Sequence, residues 1–168
     1  MKFDKKQQFI NTLDAHKKII YKIVNSYCPN KENRKDLEQE IIIQLWNTFD
    51  RYDSQYKYST WMYRIALNVA ISHYRKEKKG LVQTDLYNEE SVYTIADELE
   101  YDPSLDINIS LLQDFIDKQN ALNKAMLLLY LEEKSYEEIA AILGITKTNV
   151  ATKISRLKQQ LKKEFKNR

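Results

Sequence analysis

At 168 residues the chain suits one ordinary domain or two small ones, and with only two Gly and two Pro it lacks the punctuation that strands and tight turns need. A single cysteine excludes an intramolecular disulfide and a CxxC metal site, and no apolar run approaches the roughly 18 residues of a membrane span. The net charge of +3 hides a pattern: residues 1–79 balance to +7, residues 80–117 to −10 without one Lys or Arg, and residues 118–168 to +6. Two basic blocks flanking an acidic one suit a polyanion, because each phosphate neutralised releases counterions; the bland alternative is a pair of solvated helical surfaces. No apolar stretch follows the opening MKFDKKQQFI, so no signal peptide is expected and the protein reads as soluble and cytoplasmic.

In chain order, Ile19, Ile20, Ile23, Val24 and Tyr27 recur at helical spacing and predict an amphipathic helix ending near Pro29. Asp36 opens a second helix, with Gln39 completing a capping box; Leu37, Ile41, Leu45 and Phe49 form its stripe, with Ile42 and Trp46 beside them. A polar, Tyr-rich loop runs from Asp50 to Ser59. Ser59 or Thr60 caps a third helix to about Lys78, with Trp61, Ile65 and Val69 on its inner face. From Gly80 to about Asn108 periodicity fades and acid accumulates, which predicts an extended or disordered linker from which Val92, Ile95 and Leu99 can dock on a neighbour. Beyond it Leu122, Met126, Leu129 and Tyr130 make another helical face. The fold class is all-α: two small helical domains, 1–79 and 111–168, joined by an acidic linker over 80–110.

The strongest local signal is SYEEIAAILGITKTNVATKISRLKQQL, residues 135–161. Ser135 and Glu138 form a capping box; Ile139 and Leu143 face the core; Ala140 is small where two helices cross. Gly144 sits where the chain reverses and a positive φ is cheap only for glycine, Ile145 plugs the turn, and Thr146 caps the next helix. Val150, Ile154, Leu157 and Leu161 bury one stripe of that helix, and its outer face carries Lys147, Thr148, Asn149, Thr152, Lys153 and Arg156 with no acid before Lys163. Such a helix fits the DNA major groove: Asn149 suits adenine, Thr148 or Thr152 a thymine methyl, Lys153 or Arg156 guanine or phosphate. Its rival is a packing helix with a basic, solvated face.

The front block carries DLEQEIIIQLW, residues 36–46, a polar loop, and STWMYRIALNVAISHYRK, residues 59–76. This order resembles the sigma factors of bacterial RNA polymerase, whose pattern is D-L-x-Q-E, a loop, then W-L-x-x-I-A-x-N and an Arg seven residues on. Asp36, Leu37, Gln39, Glu40, Trp61, Ile65, Ala66, Asn68 and Arg75 fall on it. The tail is similar to the family's −35-binding domain, and the short interval between the blocks resembles the extracytoplasmic-function (ECF) group. Met62, Leu67, Ser72 and Ala151 depart from the family's usual residues and leave the implied function intact.

The resemblance implies three tasks. Asp36, Gln39, Glu40 and Gln44 would dock on the clamp coiled coil of the polymerase largest subunit, with Leu37, Ile41 and Trp46 as core; Asp36 and Glu38 also read as complements to a helix N-terminus. Arg51, Tyr56, Lys57, Tyr58, Trp61, Arg64, Asn68, Arg75 and Lys76 would capture the melted −10 element, since aromatic rings and cations suit unstacked bases; Tyr52 supplies a further ring, and Trp61 reads equally as core. Residues 147–158 would read the −35 duplex. The implied partners are core RNA polymerase (that clamp and the flap of the second largest subunit), promoter DNA and an anti-sigma factor, without membrane insertion. The acidic strand, through Asp97, Glu98, Glu100 and Asp102, would mimic nucleic acid or shield the basic blocks.

No cofactor, metal or catalytic residue is expected. The chain has no Gly-rich phosphate loop and no HExxH, and His16 and His73 lie far apart. The other reading, an autonomous helix-turn-helix regulator, explains the tail but not residues 36–76.

Overall fold

The computed structural model describes residues 2–83 and 103–167. The acidic positions 97, 98, 100 and 102, and the docking residues 92, 95 and 99, lie outside the described residues. Among those described there is no strand. The helices are α1 (Lys2–Tyr27), α2 (Arg34–Thr48), a 3-10 turn (Phe49–Arg51), α3 (Tyr58–Gln83), α4 (Pro103–Asp117), α5 (Ala121–Leu131), α6 (Tyr136–Leu143) and α7 (Lys147–Lys166). They belong to two compact units, α1–α3 in one and α4, α5 and α7 in the other.

In the first unit the three helices pack pairwise. Ile19, Ile20, Ile23, Val24 and Tyr27 of α1 are all buried, and so are Leu37, Ile41, Leu45 and Phe49, as their spacing demands. Truncating a fully buried residue such as Leu45 to alanine costs on the order of 2–5 kcal/mol. Tyr27 pays for no exposure at all: its phenol is desolvated, with Tyr74 second, so its pKa is raised far above the ordinary 10 and it stays neutral.

Three expectations change. First, α2 starts at Arg34, and Asn33 at its N-cap makes no side-chain bond, so Asp36 lies inside the first turn and the Asp36–Gln39 box does not form. The preceding turn explains this: Asn30 Oδ1 accepts from Glu32 N at 2.9 Å, and Arg34 Nε reaches back to the Cys28 carbonyl at 2.9 Å. Second, the inner face of α3 is Met62, Tyr63, Ala66, Leu67 and Ala70, while Trp61, Ile65 and Val69 are half-buried. Ala66 and Ala70 are fully buried; their small side chains are what lets α3 approach two helices at once. Third, helix invades both ends of the expected linker. α3 runs through Gly80 to Gln83, since one glycine costs a helix only about 1 kcal/mol, and α4 begins at Pro103, whose fixed φ and missing N–H suit a first helical position.

In the second unit Phe115 and Ile116 of α4, Leu127 of α5 and Leu157 of α7 form one cluster, with Leu112 and Leu161 at its edge. Met126, Leu129, Val150 and Ile154 are buried, while Leu122 and Tyr130 are half-buried. Ile142, not Leu143, is buried together with Ile139. Lys124 is almost wholly buried and its ammonium lies 3.3 Å from Asp117 Oδ1, so the charge that burial would penalise is compensated.

Candidate nucleic-acid interfaces

The loop between the 3-10 turn and α3 is built by its own polar groups. Asp53 Oδ1 accepts from Gln55 N at 2.9 Å and its carbonyl accepts from Tyr56 N at 3.1 Å, an Asx turn closed by the Tyr52 hydroxyl donating to the Tyr56 carbonyl. Trp61 N bonds the Lys57 carbonyl at 3.2 Å and so begins α3.

Around this loop the aromatic rings contact one another. Tyr52 stacks on Tyr58 at 4.2 Å with 16° between planes, and Trp61 meets Tyr52 edge-on at 5.7 Å. Phe49 lies beneath, 6.3 Å from Tyr58 and 5.9 Å from Trp61. Tyr58 and Trp61 are therefore half-buried members of a cluster rather than free rings, and Tyr56 is the exposed one. Loss of hydration, then the neighbouring Tyr58 and Asp53, raise the Tyr52 pKa, which keeps its hydroxyl a donor.

From this cluster Trp61, Arg64, Asn68 and Arg75 follow at helical spacing along one side of α3, a track of about 21 Å at 1.5 Å per residue. Arg64, Asn68 and Arg75 are exposed, as are Arg51 and Lys57 in the loop. Lys76 is exposed too, but one residue around the helix from Arg75, about 100° off the track.

On α2, Asp36, Gln39, Glu40 and Gln44 are all exposed on one face. In their midst sits Ile43, 56% exposed, to which the sequence pattern gave no role. Its signal was available: two residues past Ile41 is some 200° around the helix, on the side away from the core. Trp46, expected as core, is 38% exposed; it covers Phe9 edge-on at 5.1 Å and lies under the Lys5 ammonium at 4.7 Å.

The second candidate interface is the helix-turn-helix of α6 and α7. Its capping box forms in both directions, Ser135 N to Glu138 Oε2 at 2.8 Å and Glu138 N to Ser135 Oγ at 3.1 Å. Gly144 has φ 67°, and Ile145 N closes on the Ala140 carbonyl at 3.2 Å. Thr146 Oγ1 then accepts from Asn149 N at 3.1 Å and starts α7.

With Val150, Ile154 and Leu157 buried, Thr148, Asn149, Thr152 and Arg156 stand exposed; Lys153 is half-buried. Lys147 is exposed but not a free cation, since it pairs with Glu137 of α6. That lysine, through a hydrogen bond first, holds the Glu137 carboxyl below its ordinary range. Lys158 lies 4.6 Å above the Tyr130 ring, and its hydrogen bond to that tyrosine raises its pKa, so the helix carries a fixed positive charge two residues past Arg156.

Two family descriptions match the chain: "Sigma-70 region 2" over residues 12–80 and "Sigma-70, region 4" over residues 120–161. The chain is 27% identical to the ECF RNA polymerase sigma factor SigW of Bacillus subtilis, over 95% of this chain and 89% of that one. It is 30% identical to the RNA polymerase sigma factor YlaC of the same organism, over 80% and 78%. Among solved structures, the sigma factor RpoE of Bartonella quintana, in complex with the anti-sigma factor NepR, superposes with a TM-score of 0.71 at 21% identity, covering 97% of both chains. The front-block match accounts for the segment that an autonomous regulator leaves unexplained. The chain therefore belongs to the ECF group of the sigma-70 family and is a transcription initiation factor of RNA polymerase.

Proposed function

We propose that the α1–α3 unit docks on core RNA polymerase and captures melted −10 DNA, and that the α4–α7 unit reads the −35 duplex. The observation that carries this is the track from the Tyr52–Tyr58–Trp61 cluster through Arg64 and Asn68 to Arg75. Rings at its head offer faces to unpaired bases, worth roughly 1–3 kcal/mol per base, and cations along it follow the phosphates. Tyr56, Arg51 and Lys57 supply the exposed edge of the same surface, and Lys76 contacts a flanking phosphate. Binding the opened strand shifts the melting equilibrium by itself, so the protein acts by binding and not by turnover.

The exposed face of α2 is the polymerase-docking surface. Asp36, Gln39, Glu40 and Gln44 provide acid and amide groups for a cationic partner, the clamp coiled coil of the largest subunit, and Ile43 provides the apolar centre that a polar-rimmed contact needs. On α7, Thr148, Asn149 and Thr152 face base edges, with Lys147, Lys153 and Arg156 at phosphates or guanine. The flap of the second largest subunit holds the α4–α7 unit in place, and an anti-sigma factor holds the free protein, as NepR accompanies its RpoE relative. No described helix is long and apolar enough to cross a membrane, and the proposed site of action is the cytoplasm.

Transcription in vitro tests the whole reading. Purified chain added to core polymerase on genomic DNA is expected to produce start sites absent from core alone, and a chain that neither binds core nor yields new transcripts ends the proposal.

A further inference from the structure

We propose that Lys5 and Phe9, in the first turns of α1, are positioning residues for the loop of residues 50–57; this rests on reading that loop as the strand-capturing element. Both precede residue 12, where the family match begins, so nothing in the region 2 pattern assigns them a role.

The Lys5 ammonium is held at two points at once. It lies 2.5 Å from Asp50 Oδ2, at the root of the loop, and 4.7 Å from the centre of the Trp46 ring on α2. Phe9 is buried and meets two rings edge-on, Trp46 at 5.1 Å and Phe49 at 5.3 Å. Phe49 in turn contacts Tyr58 and Trp61, and Tyr52 stacks on Tyr58. An unbroken series of ring contacts thus links the start of α1 to the rings at the head of the α3 track.

Apart from these contacts, the other side-chain anchor of the loop is the Tyr52 ring, stacked on Tyr58. Residues 53–57 are all exposed, and its internal bonds close the turn without fixing where the turn stands on the unit. Ordering such a segment costs about 1–2 kcal/mol per residue, and a surface that receives bases works best when that cost is met before the bases arrive. Lys5 ties the root of the loop, and Phe9 supports the rings from below.

The test uses the full chain bound to core polymerase. A fluorescein-labelled 12-nucleotide single strand of random sequence is titrated by anisotropy, with the matching duplex as control. Tryptic cleavage at Arg51 and Lys57 without DNA reports loop order. Lys5→Ala is expected to speed that cleavage and to weaken single-strand binding about three- to tenfold, leaving the duplex and the unfolding temperature unmoved. Lys5→Arg should restore most of the loss.

Asp50→Asn separates positioning from direct contact. It removes a negative charge and frees Lys5, so if Lys5 simply binds phosphate the single strand binds as well or better; the positioning role requires weaker binding. Unchanged cleavage in Lys5→Ala, unchanged strand binding, or an Asp50→Asn chain that binds at least as tightly overturns the proposal. A parent chain that binds no single strand overturns the function proposed for the loop, and the positioning role falls with it.

Discussion

The ends of α5 and α6 adopt the left-handed backbone, one at a glutamate and one at a glycine, and they make opposite predictions from one principle. After α6, Gly144 has φ 67°, with Ile145 N bonded to the Ala140 carbonyl. After α5, Glu133 has φ 59°, with Lys134 N bonded to the Leu129 carbonyl at 3.1 Å and Glu133 N to the Tyr130 carbonyl at 3.0 Å. Both close a Schellman turn, in which a β-carbon opposes the preferred backbone. A Cβ added at Gly144 meets nothing within 4 Å, so Gly144→Ala carries no clash and costs only the left-handed backbone, about 1–2 kcal/mol. Glu133→Gly removes the same penalty but restores glycine's freedom to the unfolded chain, so the net gain is about 1 kcal/mol or less. Both tryptophans lie in the first unit, so amide exchange, not fluorescence, is the assay. At Val150 and Ile154, buried in α7, Gly144→Ala should speed exchange roughly 5- to 30-fold, and Glu133→Gly should slow it. An unchanged rate in the alanine variant, a loss well above about 3 kcal/mol, or a destabilised Glu133→Gly refutes the backbone argument.

Three further outcomes follow from the helix-turn-helix. Ser135→Ala removes the Glu138 N to Ser135 Oγ bond of the capping box while the backbone N–H of residue 135 still donates to Glu138, and it should cost about 1 kcal/mol, read as faster exchange in α6 with α1–α3 unaffected. The Glu137 carboxyl has its pKa lowered in the fold, so its pairing with Lys147 stabilises above the ordinary 4.5 and is lost as pH falls through the lowered value; Glu137→Gln should lower the unfolding temperature at pH 7 and leave it unmoved once the parent carboxyl is protonated. Arg156→Ala should weaken duplex binding by the holoenzyme and flatten its dependence on the logarithm of salt by about 0.9 if the side chain meets a phosphate, whereas relaxed preference at one base with an unchanged slope would place it on guanine.

Local signals and their consequences were legible in the amino-acid order. The capping box, turn and N-cap of residues 135–146 depend on bonds between groups a few positions apart, so Ser135, Glu138, Gly144 and Thr146 announce the helix-turn-helix without knowledge of neighbours. The stripes of α1 and α2 were readable for the same reason, because each helix turns one dominant apolar face inward. The large residues of α3 suggested Trp61, Ile65 and Val69 as its inner face, yet Ala66 and Ala70 make the close approach, because contact distance between backbones rewards small side chains that hydropathy barely registers.

Only tertiary structure decided that Tyr52, Tyr58 and Trp61 form one cluster, that Ile43 faces outward among acids and amides, and that Lys5 reaches Asp50. That last pair is separated by 45 positions, and its meeting depends on how α1 lies against α2. Spacing along a chain determines which side of a helix a residue occupies; which residues of different helices meet is determined by packing, where shape and desolvation act over distances the local pattern does not encode.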